Sequence, residues 1–321
     1  MQKILFLLFI GFCVKTAKCQ SASAGDSTLL AFASDTQKPM WVETLFLKAD
    51  HNQQATKKIF NEFSAIKPKA LFLLGDVVNL GYSNHQWKAM SGYLSNLRSE
   101  GVAVHAALGN HEVMGQAKKG EEKFQTYFPD HVRTGYVNIV DSVAVILLNS
   151  NFGKLTAEEN EKQVSWYKNE LQALDADPSV LYIITGCHHS PYTNSSIVGC
   201  SKDVEQKFVP PFLASKKSQL FLSGHSHNFE HYKVQGKDFF VIGGGGGLHQ
   251  PLKTGANLLP DLDADYKPQF HYLTVKRCAD GLQVNSYELK KDFSTFDEGK
   301  SVVIKRATAP LADYAASVSS N

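Results

Sequence analysis

The sequence predicts an α/β fold on three observations: apolar runs of strand length recur along the chain, amphipathic helical stretches separate them, and almost every run ends in a polar cluster. In chain order the runs are TLLAFAS (28–34), ALFLLG (70–75), VAVHAALG (102–109), VAVILLNS (143–150), VLYIITG (180–186), QLFLSG (219–224) and DFFVIGG (238–244). Helices are predicted over 52–66, where Ile59, Phe60, Phe63 and Ile66 share a face, and over 156–174. The second opens on the capping box Thr156-x-x-Glu159 and carries Val164, Tyr167, Leu171 and Leu174 at helical spacing. Late in the chain, FHYLTVKRCADGLQVNSYEL reads as two antiparallel strands joined at Ala279-Asp280-Gly281. Residues 291–321 read as a terminal strand followed by a small, polar, aperiodic tail that the composition makes mobile.

The first residues have a different character. Lys3 precedes an apolar run over 4–14, and Ala17 and Cys19 stand at the −3 and −1 positions of a cleavage site. Residues 1–19 are therefore predicted to be a signal peptide, and the mature chain to be secreted or periplasmic. That run is too short to span a bilayer, and no later stretch is longer. Neither Cys13 nor Cys19 follows a convincing lipobox, so a lipid anchor is the weaker reading.

The remainder holds Cys187, Cys200 and Cys278, an odd number, so at most one bridge forms within it. Cys187 and Cys200 either close a short loop or remain buried thiols. Over 321 residues, 33 basic side chains balance 31 acidic ones for a formal charge of +2. The lysines are scattered rather than gathered into a stripe, which gives no electrostatic reason to expect a nucleic-acid or membrane surface. A small-molecule partner fits better.

The strand ends carry the chemistry. Asp35 and Gln37 follow the first run, Gly75-Asp76 the second and Gly109-Asn110-His111-Glu112 the third. Gly186-Cys187-His188-His189 and Gly224-His225-Ser226-His227 follow two later ones. Taken singly, a Gly-Asp is a turn and an Asn-His a helix cap. Together they deliver carboxylates, amides and imidazoles to one carboxyl edge, where open α/β sheets bind ligands. A dinuclear metal site needs that mixture of nitrogen and oxygen donors.

In these motifs and their order, residues 28–290 resemble the calcineurin-like metallophosphoesterases, which include the purple acid phosphatases. The resemblance implies a two-sheet β-sandwich flanked by helices, an αββα arrangement, with metals on loops at the carboxyl edge of the strands. It implies that Asp35, Gln37 and His227 hold one metal, that Asn110, His188 and His225 hold the other, and that Asp76 bridges them. The cofactors would be two divalent or mixed-valence ions among Mn, Fe, Zn and Mg. Held about 3.5–4 Å apart, such ions acidify a bound water and clamp phosphoryl oxygens. The implied activity is hydrolysis of a phosphorylated small molecule, an ester or an anhydride, by a metal-bound hydroxide. His111 resembles the family histidine that assists the leaving group, and Glu112 either orients it or starts a helix as an acid near the macrodipole.

Two departures qualify the resemblance. Asn79 stands where purple acid phosphatases carry a tyrosine ligand to iron, so a colourless protein is expected. Gln37 stands where most members have histidine, and its harder amide oxygen biases that site towards Mn, Mg or Fe over Zn. The glycines of 243–247 either let backbone approach a phosphate or form a close-packed bend. Substrate contacts are expected from Asn110, His111, His189, Tyr192 and His249, with Trp41 and His231 as further candidates for the pocket mouth or as packing residues. The substrate loops are placed at 38–52, 80–86, 113–122, 191–203 and 245–268. A non-catalytic metal-binding or scaffold protein on the same fold is the rival reading, and the sequence does not choose among monoester, diester and anhydride.

Overall fold

The structure is a computed structural model that describes residues 28–279 and 281–305. The predicted signal peptide, the tail beyond 305 and Asp280 lie outside the described residues.

Two six-stranded sheets pack face to face. The first contains β1 (Leu29–Ala33), β2 (Ala70–Leu73), β3 (Ala103–Ala106), β10 (His271–Arg277), β11 (Gly281–Leu289) and β12 (Phe296–Lys305). Its order is β12-β11-β10-β1-β2-β3, parallel from β1 to β3 and antiparallel from β10 to β12. The second contains β4 (Tyr136–Val140), β5 (Val143–Leu148), β6 (Tyr182–Cys187), β7 (Ser218–Ser223), β8 (Phe229–Val234) and β9 (Lys237–Ile242). Its order is β4-β5-β6-β7-β9-β8, with a parallel centre and antiparallel edges.

The continuous apolar runs are explained by burial on both faces, since successive side chains of a strand point to opposite sides. Leu30, Phe32, Phe72, Val145, Leu147, Ile184, Leu220 and Leu222 meet between the sheets. Their neighbours turn outward: Ala31, Ala33, Leu71 and Leu73 pack under α1 (Asn52–Ile66), α2 (Asn84–Ser99) and α3 (Ala117–Tyr127). On the other side Ala144, Ile146 and Ile183 pack under α4 (Ala157–Ala176), α5 (Lys202–Lys207) and α6 (Val209–Ala214). The sandwich is therefore four layers thick, helix–sheet–sheet–helix, as the resemblance implied. The capping box of α4 is present, with Glu159 N–H donating to Thr156 Oγ1 and Thr156 N–H to the Glu159 carboxylate.

Of the two readings for Cys187 and Cys200, the free thiols hold, with Cys187 buried and Cys200 half-buried. Two expectations about loops change. The loop expected over 113–122 is helical from Ala117, where Phe124 buries against Trp87 and Phe128. The loop expected over 80–86 gives way to α2 at Asn84. No described helix is long and apolar enough to cross a membrane.

Candidate metal centre

All five predicted clusters leave their strands at one edge of the sandwich and meet at the seam between the sheets. Three of the residues adopt left-handed backbone: Asp35 (φ 59°), Asp76 (φ 50°) and His225 (φ 66°). For residues other than glycine such φ values cost on the order of 1–3 kcal/mol each and are held only where surrounding structure over-determines them. Here the determinants are hydrogen bonds between loops. Asp35 N–H donates to Gly75 O (3.1 Å), Gln37 N–H to Asp76 O (3.0 Å), and His225 N–H to both Asp35 carboxylate oxygens (3.2 and 3.0 Å).

Close approach also requires the glycines. A Cβ on Gly109 would lie 2.1 Å from Asp76 Oδ1, and one on Gly224 would lie 1.9 Å from Ser34 Oγ. The run 243–247 is a close-packed bend: Asn52 donates to Gly246 O and Gly247 O, and a Cβ on Gly247 would meet the His227 ring at 2.6 Å. Of the two readings of this run, the close-packed bend is the one found, packed against the His225–His227 loop.

The donors converge. One ligand atom from each of Asp35, Asp76 and His188 lies within 4.8 Å of the others, and the same holds for His188, His189 and His225. His188 Nε2 is 3.2 Å from Asp76 Oδ2 and 3.0 Å from Asn110 Oδ1; His227 Nε2 is 3.3 Å from Asp35 Oδ1. The outer nitrogens of two imidazoles are committed elsewhere, His188 Nδ1–H to Leu74 O (3.0 Å) and His227 Nδ1–H to Leu248 O (2.7 Å). That pattern leaves Nε2 of each ring as the nitrogen facing inward, as a metal ligand requires. Gln37 behaves alike. The orientation of its amide that satisfies its hydrogen bonds has the nitrogen donating to Asp35 O (3.1 Å) and Asp76 O (2.9 Å) and turns the oxygen to His227 Nε2.

The electrostatics match this chemistry. Burial would raise the Asp76 carboxyl, but the charges of His188 and His111 hold it far below the usual carboxylate range. Burial opposes a charge on His188 as well, yet Asp76 carries it up to about 9. His225 is pushed well below the ordinary imidazole value by burial and then by His188, which suits a neutral ligand. Buried carboxylates facing imidazoles across glycine-lined contacts fit a pair of cations, which would take the place of the proton that His188 holds against Asp76.

The remaining predicted residues divide. His111 is buried, its Nδ1–H donates to Asn79 O (3.0 Å), and its Nε2 faces Asp76 Oδ2 at 3.7 Å. His189 joins the imidazole group more closely than a substrate-side role implied, with Nδ1 on Ser150 Oγ at 2.8 Å. His249, partly buried, follows the Leu248 carbonyl that holds His227. Tyr192 is not brought to the cluster: its ring packs edge-on against Phe239 and Tyr232. His231 is a packing residue, stacked on Phe240 and clamped between Asp238 (2.9 Å) and Asp263 (3.0 Å).

Glu112 requires a correction, because it neither orients His111 nor starts a helix. Fully buried, its carboxylate accepts from the backbone N–H of Asp76 (2.9 Å), Val78 (3.0 Å) and Gly109 (2.8 Å), tying two ligand loops together. Burial and the Asp76 charge push it up to about 7, against the pull of those donors. Sequence reasoning missed two further residues. Ser150 ends β5 as the other clusters end theirs, a signal that was available. Glu43, in the short turn Glu43–Leu45, brings Oε1 to 3.9 Å from His111 Nε2, and nothing in its spacing announces this.

A fold of this topology with these donors at its seam is a metallophosphoesterase. The chain belongs to the calcineurin-like phosphoesterase family, whose sequence model matches residues 28–229. No curated protein matches the chain by sequence. Among solved structures it is similar to a purple acid phosphatase from yellow lupin (Lupinus luteus) seeds, with 16% identity and a TM-score of 0.65. That match covers 90% of this chain and 55% of the lupin chain, so the chain spans about half the length of that relative. It is also similar to GAP50, the anchor in the inner membrane complex of Plasmodium, with 14% identity, a TM-score of 0.64 and 90% of each chain covered. A dimetal phosphatase from Danio rerio aligns at 12% identity and a TM-score of 0.54, over 88% of this chain and 100% of its own. At these identities the likenesses show the fold.

Proposed function

We propose that the chain is an exported phosphoesterase that hydrolyses phosphate esters or anhydrides with two metal ions. Asp35, Gln37 and His227 would hold one ion, Asn110, His188 and His225 the other, and Asp76 both. When bound, such a pair supplies an acidified water and charge stabilisation for in-line displacement at phosphorus. The convergence of Asp35, Asp76 and His188 donors within 4.8 Å is the observation that carries this reading.

The chain's own groups do the rest. His111 is fixed by its Nδ1–H bond to Asn79 O, so Nε2 is the nitrogen presented to the site. A proton on Nε2, opposite Glu43 and Asp76, is positioned for the leaving oxygen, and general acid catalysis of this kind contributes about 10²- to 10⁴-fold. The Asn110 amide oxygen, 3.0 Å from His188 Nε2, would serve the second ion and contact the substrate beside it. Glu112 keeps Asp76 and Gly109 at their separation. Export rests on the N-terminal pattern of residues 1–19.

The test is a panel of aryl phosphate, phosphodiester and nucleotide anhydride substrates with metal-loaded wild type and His111→Ala. Wild type is expected to hydrolyse at least one class. His111→Ala should turn over about 10²- to 10⁴-fold more slowly while keeping both metals. A metal-loaded wild type inert towards the whole panel would favour the scaffold reading, and an empty site in His111→Ala would refute the separation of roles.

A further inference from the structure

The whole-chain charge balance gave no reason to expect a membrane surface, but one local region differs. In the segment 40–47 beside the metal centre, Trp41 is 77% exposed, Leu45 65%, Phe46 84% and Val42 42%. Of the other large exposed apolar residues among those described, Val132, Ile139 and Ile197 stand singly in separate segments, and Leu258 and Leu262 make only a pair. The turn is not loose. Phe46 N–H donates to Glu43 O (3.1 Å), Leu47 N–H to the same carbonyl (2.9 Å) and Glu43 N–H to Met40 O (3.0 Å). Trp41, Val42, Leu45 and Phe46 are thus four exposed apolar side chains within six residues, carried on and beside the single 3-10 turn Glu43–Leu45. Glu43 of the same turn faces inward to His111, which fixes the patch at the mouth of the site.

Exposed Lys38 and Lys48 flank the turn. A cleft of about 450 Å³ opens alongside at Lys38, also lined by Lys88 and His85 and by no carboxylate. The acids of the segment lie off this face or beyond it, Glu43 turned in to His111 and half-buried Asp50 past Lys48, and an apolar patch flanked by two exposed lysines on a hydrogen-bonded turn has the composition of an interfacial anchor. A second copy docked patch to patch would bring lysines against lysines, whereas anionic headgroups neutralise them.

We infer that the turn 40–47 docks the mouth of the metal centre onto an anionic lipid surface, with Trp41, Leu45 and Phe46 entering the interface and Lys38 and Lys48 on the headgroups. Docking of this kind sets the site against headgroup phosphates. Hydrolysis there rests on the function proposed above, so the test is read from binding alone.

The full chain is sedimented with phosphatidylcholine vesicles, with and without phosphatidylserine. Wild type should partition onto the anionic vesicles, less so at high salt, and W41S/L45S/F46S should partition about tenfold more weakly or worse. Circular dichroism confirms that the variant is folded. On wild type itself, Trp41 emission should shift to the blue on vesicle addition, and the shift should vanish in Trp41→Phe. Absence of partitioning, or equal partitioning of the folded triple variant, would overturn the inference. So would a wild-type dimer that W41S/L45S/F46S dissolves, which assigns the patch to a second copy. Vesicle binding without hydrolysis of any soluble ester leaves the docking surface standing and counts against the phosphoesterase reading.

Discussion

The two sheets bring different chemistry to the seam. Loops after β1, β2 and β3 of the first sheet carry the oxygen donors Asp35, Gln37, Asp76 and Asn110, and loops after β6 and β7 of the second carry the imidazoles of His188, His225 and His227. Each half is also tied by a buried carboxylate of its own. Glu112 accepts from backbone N–H groups in the first half; Glu230 in the second accepts from Thr193 Oγ1 (2.6 Å), Asn194 N–H (2.6 Å), Ser226 Oγ (3.2 Å) and the Tyr232 hydroxyl. The lesson is that neither sheet alone supplies the proposed set of ligands. The centre is a product of sandwich packing, and metal binding should report on how the sheets meet.

The two carboxylates offer a way to break the halves separately. Glu112→Gln puts an amide nitrogen against fixed backbone donors that cannot turn away, and should cost about 1–3 kcal/mol. Glu230→Gln faces mainly hydroxyls, which rotate to accept from the new amide. It should cost less, about 1 kcal/mol or below. Urea unfolding of both variants checks the order; equal losses would mean that donor rigidity is not what separates the halves.

A smaller effect sharpens the contrast in donor type. Gln37→His places a nitrogen among the oxygens of the first half and should tighten metal at that site, shifting its preference towards Zn. Competitive metal titration is the measurement. Unchanged affinity and unchanged preference would show that Gln37 is not a ligand and that Asp35 alone serves from this loop.

Much of this was legible in the sequence because the runs that build both faces of a strand end where the chemistry begins. Asp35, Asp76, Asn110, His188, His225 and His227 each follow such a run. What stayed hidden was hidden for physical reasons. The strand β4 is only half buried and alternates weakly, and β8 reads FEHYKV because Glu230 and His231 are buried through partners distant in sequence. The helix α2 spaces Trp87, Met90, Leu94 and Leu97 along one face, but polar residues and Gly92 dilute the pattern. The role of Glu112 depends on backbone groups more than thirty residues earlier, and local patterning carries no trace of them. Tyr192 followed a ligand motif closely in sequence, yet its ring went to an aromatic cluster on the outer face of the second sheet.

The most direct test of a seam-built metal pair is metal stoichiometry by mass spectrometry of wild type and Asp76→Asn, with aryl phosphate hydrolysis measured on the same samples. Asp76 is the carboxylate that faces both His188 and His111 and whose backbone Glu112 anchors. Wild type should hold two ions per chain, and Asp76→Asn should hold fewer and lose hydrolysis while remaining folded. Equal metal content and equal activity in the two proteins would contradict the account.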